Sequence, residues 1–248
     1  NFACIPVLLA LAAPVFADTA PATDAQAAPA AVQTPADPAP DPLVVLPGDP
    51  DGPRFDLGMI PPDHILRPDG APKAMVVLVS DNTGWTPADE DVAQALRGDG
   101  AAVIGLDLQS YRRVMEADDG DCIYMVSDIE SLAHQLQRAG GGQAYATPIV
   151  AGVGAGGTLA LDMIAQSPVA TIDAGIAADP GAGLSMSHDF CTNAPRQYDR
   201  AATVYGLAPG DLPAAVEAIF TPKARVEGRA HLAALQKDHP DVVTRDVT

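Results

Sequence analysis

The sequence predicts an α/β fold of three layers, a mostly parallel sheet with helices on both faces. Three observations carry this. From about residue 74 short, β-rich apolar runs alternate with segments of helical periodicity. The runs at 75–79, 101–107 and 148–153 are nearly continuously apolar instead of alternating, as strands covered on both faces are. Strands separated by helices of this length need right-handed crossovers, which make neighbouring strands parallel.

The elements follow in order. Residues 75–79 are bounded by Lys73 and by the turn-forming Ser80-Asp-Asn-Thr-Gly84, and read as a buried strand. Thr86 then offers an N-cap, Pro87 a first helical position and Asp89 an acid in the first turn. Val92, Ala95 and Leu96 supply the inward stripe of this helix, and Gly98-Asp-Gly100 ends it. A second strand at 101–107 closes on an acid. An irregular acidic stretch follows, and then Ile129, Leu132, Ala133 and Leu136 fall at helical spacing until Gly140-Gly-Gly142. The third strand is 148–153 and its helix 156–166. Further strands are expected at 171–177, 202–206 and 218–221, with a helix at about 228–236 and a last strand at 241–247. The chain contains no internal repeat.

The corner after the third strand carries the most information. Pro148-Ile-Val-Ala-Gly-Val-Gly-Ala-Gly-Gly157 looks like the strand-to-helix elbow that bears the nucleophile in α/β-hydrolases, so the expected fold is three-layer and α/β-hydrolase-like. Gly152, Gly154 and Gly156 keep the spacing of G-x-S-x-G, but Gly154 stands where the serine belongs. Glycine has no atom that attacks a carbonyl, so a degenerate elbow of this kind runs no acyl-enzyme chemistry.

Composition sets the frame around that corner. A chain of 248 residues, 48% apolar, builds one substantial core, and a formal charge of −18 opposes nucleic acid and anionic membrane surfaces alike. Residues 1–17 read as the apolar region of a signal peptide with its front cut away, ending in Val15-Phe16-Ala17. The run is too short and too rich in proline to span a membrane, so no span is expected in the mature chain. Residues 18–42 hold six prolines among alanines and acids and read as a disordered tether, leaving 43–248 as the folded domain. Loss of the signal removes Cys4. The remaining Cys122 and Cys191 would form one disulfide in an exported domain, the alternative being two buried free thiols.

At this point a specific resemblance appears. The runs Ser80-Asp-Asn-Thr-Gly-Trp85, Asp121-Cys-Ile-Tyr124, Ser127-Asp-Ile-Glu130, the elbow from Thr147 to Gly157, and Gly228-Arg-Ala-His231 resemble the N-terminal half of the bacterial virulence proteins of the AcvB/VirJ family. The resemblance covers roughly residues 70–248. It implies two α/β-hydrolase-like halves, of which the C-terminal, VirJ-like half carries an intact G-x-S-x-G. It further implies a periplasmic protein linked to type IV secretion and virulence, with hydrolysis of aminoacyl-phosphatidylglycerol, chiefly the lysyl form, in its family. The sequence stops at Thr248, about where a first such domain would end, so the hydrolase partner domain is expected to be absent here. Secretion-system or envelope proteins are the other expected partners.

Alternatives remain open. The α/β-hydrolase fold places its histidine after the last strand, whereas His64, His134, His188, His231 and His239 all precede it. An active ester hydrolase would need another nucleophile, Ser80 at a strand end or Ser185 in Ser185-Met-Ser-His188-Asp189, although sequence neighbours rarely converge as a triad. Gly152-Val-Gly-Ala-Gly-Gly157 also satisfies G-x-G-x-x-G, with Asp179 ending the next strand, and would suit a dinucleotide pyrophosphate. Against this, the motif falls on the third strand-helix unit. Asp49-Pro-Asp51-Gly52 and His188-Asp189-x-Cys191 are too fragmentary for metal sites. The expectation is no cofactor, no metal and no catalytic residue, with a binding crevice formed by Ser80, Asp81, Asn82, Gly154 and Ala155.

Overall fold

The computed structural model describes residues 43–199 and 202–248; the expected signal segment and tether lie outside them. A small antiparallel pair opens the described chain, β1 (Leu43–Val45) on β2 (Arg54–Asp56). The main sheet is built from β3 (His64–Leu66), β4 (Ala74–Val79), β5 (Ala101–Leu106), β6 (Ile149–Val153), β7 (Ala174–Ala178), β10 (Ala215–Phe220) and β11 (Val243–Asp246). Between β7 and β10 the chain leaves the sheet to make a separate antiparallel hairpin, β8 (Arg196–Asp199) and β9 (Ala202–Tyr205). The helices are α1 (Pro87–Gly98), α2 (Leu108–Ala117), α3 (Val126–Ala139), α4 (Ala155–Gln166) and α5 (Val226–Asp238).

The seven strands lie in the order β11-β10-β7-β6-β4-β5-β3. All neighbours are parallel except β3, which runs antiparallel to β5 at the edge. From β4 the chain steps outward to β5 and then crosses back to β6 on the other side. Connections therefore diverge between β4 and β6, and open α/β sheets place their crevices outside the C-terminal ends of such a pair.

Helices cover both faces. Met75, Val77 and Val79 of β4 and Ala102, Ile104 and Leu106 of β5 join the larger core with α2, α3 and α4, while Leu78 and Val103 turn the other way onto Ala93 of α1. The chain thus has a three-layer, α/β-hydrolase-like fold with a mostly parallel sheet.

Several elements depart from the sequence expectation. In α1, Val92 is 49% exposed and Ala95 is also exposed, while Ala93 is fully buried with Leu96 packed beside it. The rotation of the helix is fixed from its start. Thr86 caps the N–H of Asp89, the Asp89 carboxylate takes the N–H of Thr86 in return, and Trp85 packs against the same small core. A methyl-sized residue then faces the sheet. The stretch after β5, expected to be irregular, contains α2. Asp107 ends the strand and caps the helix through the N–H of Ser110 at 2.8 Å, and Leu108, Tyr111 and Met115 form its buried stripe. The neutral Gln109 and Ser110, the charged Arg112 and Arg113 and an exposed Val114 stand between these positions and mask the period. The strand expected at 202–206 forms as β9 but pairs in the hairpin, not in the main sheet.

Cys122 and Cys191 form a disulfide across a sequence separation of 69, with Cα atoms 5.1 Å apart. Beside it the loops are joined by parallel-bridge bonds, Ile123 N–H to the Asp189 carbonyl and Cys191 N–H to the Ile123 carbonyl, both 2.9 Å. In the loop-entropy account a crosslink of this span stabilises by about 4 kcal/mol, and such bonds persist in oxidising compartments. Among the described residues, no helix is long and apolar enough to cross a membrane.

Candidate functional site

The site is a crevice of about 510 Å³ at the C-terminal ends of the strands, where β4, β6, β7 and β10 deliver their loops and the β8–β9 hairpin closes one side. Its floor includes Asp81, Asn82, Gly154, Ala155, Thr158 and Asp179.

Gly154 occupies the corner between β6 and α4 with φ 58° and ψ −120°. A side chain there would be held in strained backbone, as a nucleophile on an elbow is. The flanking glycines have a packing reason. A Cβ on Gly152 would collide with the backbone of Gly156, and one on Gly156 with the carbonyls of Val79 and Ser80. Helix α4 therefore rests directly on the ends of β4 and β6, which only glycines permit.

What fills the serine's place is the side chain of Asp81. A Cβ built on Gly154 would run into the Asp81 carboxylate. Asp81 Oδ1 accepts the N–H of Ala155 at 2.8 Å and the N–H of Asn82 at 2.8 Å. In an acyl-transferring elbow the oxyanion is held by the N–H of the residue after the nucleophile and by an N–H from the loop after a neighbouring strand. Ala155 and Asn82 stand in those two positions, and one internal carboxylate takes both donors. The Asp81 carbonyl also accepts the N–H of Gly84 at 3.0 Å, which closes the turn presenting the side chain.

Of the residues expected in the crevice, Asp81, Asn82, Gly154 and Ala155 meet there and Ser80 does not. Ser80 is fully buried beneath the rim; its hydroxyl accepts the N–H of Leu108 at 3.0 Å and donates to the Asp81 carbonyl at 3.3 Å. Ser185 lies on the lip, but Asp189 is committed elsewhere, accepting from Tyr198 at 2.7 Å and Tyr205 at 3.3 Å and pairing with Arg196 at 3.5 Å. None of the residues lining the crevice is a histidine. His64 stacks on Trp85, His134 stacks on Tyr145, and His231 lies on α5, where burial outweighs a bond to the Tyr205 backbone and lowers its pKa. The dinucleotide alternative meets a physical obstacle. A pyrophosphate would need the donors that Asp81 takes, and Asp179, the would-be ribose acid, instead accepts the backbone N–H of Thr221 at 2.7 Å and the Thr221 hydroxyl.

Residues outside the sequence expectation complete the site. Arg112 of α2 reaches the rim and donates from Nη2 to Asn82 Oδ1 at 3.3 Å. Lys223 and Arg225, from the loop between β10 and α5, line the opposite end with Thr158 and Gly181 between. No local motif marks these cations; α2 and the loop after β10 had to be placed first. Asp107, at the end of β5, plays the same stitching part as Asp81. Burial acts to raise its pKa, but bonds from Ser110 and Trp85 outweigh it and the net shift is downward. Among the described residues no group of three or more histidines, cysteines and carboxylates is placed to hold a metal ion.

The fold and the corner define a class, the α/β-hydrolase-like domains. No family model matches the chain, and no curated protein matches it. Among solved structures the chain is similar to a Klebsiella pneumoniae protein assigned as a dienelactone hydrolase, at 16% identity and TM-score 0.45 over 73% of this chain and 76% of that one. It is similar to esterase PE8 at 15% identity and TM-score 0.41, over 74% and 86%. It is also similar to the Francisella virulence factor BioJ at 12% identity and TM-score 0.46, over 73% and 69%.

Proposed function

We propose that this domain is a non-catalytic member of the α/β-hydrolase-like class that works as a binding module in the periplasm, beside a VirJ-like hydrolase domain of an AcvB/VirJ-type virulence protein. The observation that carries the non-catalytic reading is the Asp81 carboxylate lodged over Gly154 on the N–H groups of Ala155 and Asn82. Nucleophile and oxyanion donors are both removed from use, and among the described residues no imidazole lines the same space. Such a corner retains the backbone of an elbow for packing alone.

The virulence-protein reading is supported by the motif runs quoted above, which fall at the β4 loop, the disulfide, the start of α3, the elbow and the start of α5. The disulfide and the apolar segment at 1–17 support export. The test has two arms. Purified chain should take up no fluorophosphonate probe and cleave no p-nitrophenyl ester; labelling of the wild-type chain would refute the non-catalytic reading. Cell fractionation of the full gene product should place it in the periplasm, and a gene lacking a following G-x-S-x-G half would remove the family assignment.

A further inference from the structure

We infer that the crevice is a receptor for a small molecule bearing an oxyanion group, seated against the Arg112 guanidinium. The inference rests on reading the crevice as a binding site and adds the chemistry of what binds.

The volume, about 510 Å³, suits a small ligand and not a macromolecular segment. Its charged groups divide into two sets. The acids of the floor are already engaged: Asp81 on two backbone N–H groups, Asp179 on the N–H and hydroxyl of Thr221. The cations of the lip are not. Arg112, Lys223 and Arg225 make no ion pair among the described residues, a state they share with Lys73, Arg97, Arg113, Arg138 and Lys237, whereas Arg67, Arg196, Arg229 and Arg245 each pair with a carboxylate. In a chain of net charge −18, with 14 lysines and arginines against 32 acids, a concavity lined by three cations, as many as its acids Asp81, Asp179 and Asp199, is a local departure from the overall balance.

Arg112 identifies where the anion sits. It lines the crevice, and among the described residues its guanidinium makes one hydrogen bond, the 3.3 Å contact from Nη2 to a neutral amide oxygen, while Nη1 makes none. The Nη1–Nη2 edge of a guanidinium matches two oxygens of a carboxylate or phosphate and makes charge-assisted bonds to them. Asn82 holds this edge at the rim, and Gln109 donates to the Asn82 carbonyl at 2.8 Å, fixing the residue that orients the guanidinium. Lys223 and Arg225, across the crevice, would meet a second polar end of the same molecule. Asp199 is the one further acid on the lip and opposes the cations weakly from its exposed position.

Titrating the full chain with inorganic phosphate and, separately, acetate at low ionic strength, followed by amide chemical shifts, tests this. Saturable shifts should appear at Asn82, Arg112 and Lys223 with at least one ion, and the tighter of the two gives the anion class. Arg112→Gln should weaken binding by about tenfold or more, as losing a charge-assisted contact does. Lys223→Gln, at an exposed position that leaves folding intact, should weaken it by a smaller factor. Arg113→Gln, on the same helix but outside the crevice, should change nothing. Absence of saturable shifts, an unchanged affinity in Arg112→Gln, or equal weakening by Arg113→Gln would each overturn the proposal. So would binding to anionic phospholipid vesicles with neither small ion bound. Ester cleavage by the wild-type chain would strike the non-catalytic reading instead, so the two failures are distinct.

Discussion

Two adjacent strand ends in this molecule solve one problem in opposite ways. At the end of β6 the chain turns at Gly154 with φ 58°, and at the end of β7 it turns at Asp179 with φ 46°. Both are left-handed corners on the same rim. Gly154 contributes no side chain, and the carboxylate that ties its corner comes from Asp81 on the β4 side. Asp179 accepts the strain of its backbone and supplies its own carboxylate to Thr221 beyond β10. Asp107 repeats the device from β5 to Trp85 at 2.7 Å. Carboxylates at the C-terminal ends thus join the β5 loop to the β4 loop, the β4 loop to the β6 corner and the β7 corner to the loop after β10, and at Gly154 one of them fills the position where an elbow would hold its nucleophile. The two corners differ in where the carboxylate comes from: Gly154 has no hydroxyl of its own, and its corner is closed from outside by the side chain of Asp81.

Substitutions separate the two corners. The largest effect is expected just inside the first, where Gly156→Ala drives a Cβ into the carbonyls of Val79 and Ser80, backbone that cannot rotate away. Chemical denaturation should show a loss of about 3 kcal/mol. Asp179→Ala removes two hydrogen bonds and leaves a non-glycine residue at positive φ, a cost of about 2 kcal/mol, whereas Asp179→Gly should recover part of it by relieving the backbone. Equal stability of the two variants would mean that Asp179 acts through its carboxylate alone.

At the other corner, Gly154→Ala should cost about 1–2 kcal/mol, and pairing it with Asp81→Ala should return some of that loss because the colliding carboxylate is gone. Simple additivity in that double-mutant cycle would argue that Asp81 does not occupy the elbow position. About two turns into α4 lies Asp162, 4% exposed with Oδ2 unpartnered, and burial pushes its carboxyl well above the usual range. Because the folded pKa is raised, its contribution is intact below the unfolded value of 3.8 and declines as pH rises above it, since only the unfolded chain then releases the proton. Asp162→Asn should therefore raise Tm at pH 7, with the gain shrinking as pH falls toward the unfolded carboxylate range. The smallest effect belongs to the start of α1, away from both corners, where Thr86→Ala should cost about 1 kcal/mol by loss of the capping box.

Much of the frame was legible in the residues. The apolar runs of β4, β5 and β6 announced strands covered on both faces, Thr86-Pro87 announced the start of α1, and two cysteines behind an expected export signal announced their bond. Short-range pattern failed where long-range packing decided. The stripe of α1 is turned to Ala93 and Leu96 by Trp85 and the capping box, and in α2 the neutral Gln109 and Ser110, the charged Arg112 and Arg113 and an exposed Val114 interrupt Leu108, Tyr111 and Met115. The site divides in the same way. Gly154 and Asp81 are local features of two motif runs, yet Ser80 points into the core, and Arg112 and Lys223 carry no signature at all.

By itself the sequence determined that a strand-to-helix corner keeps its glycines and has no hydroxyl, because the identity of a residue is fixed before the chain folds. Only the tertiary structure decided what stands in the empty place. Asp81 and Ala155 are 74 positions apart, and their 2.8 Å bond exists because β4 and β6 become neighbours through a crossover that no local pattern encodes.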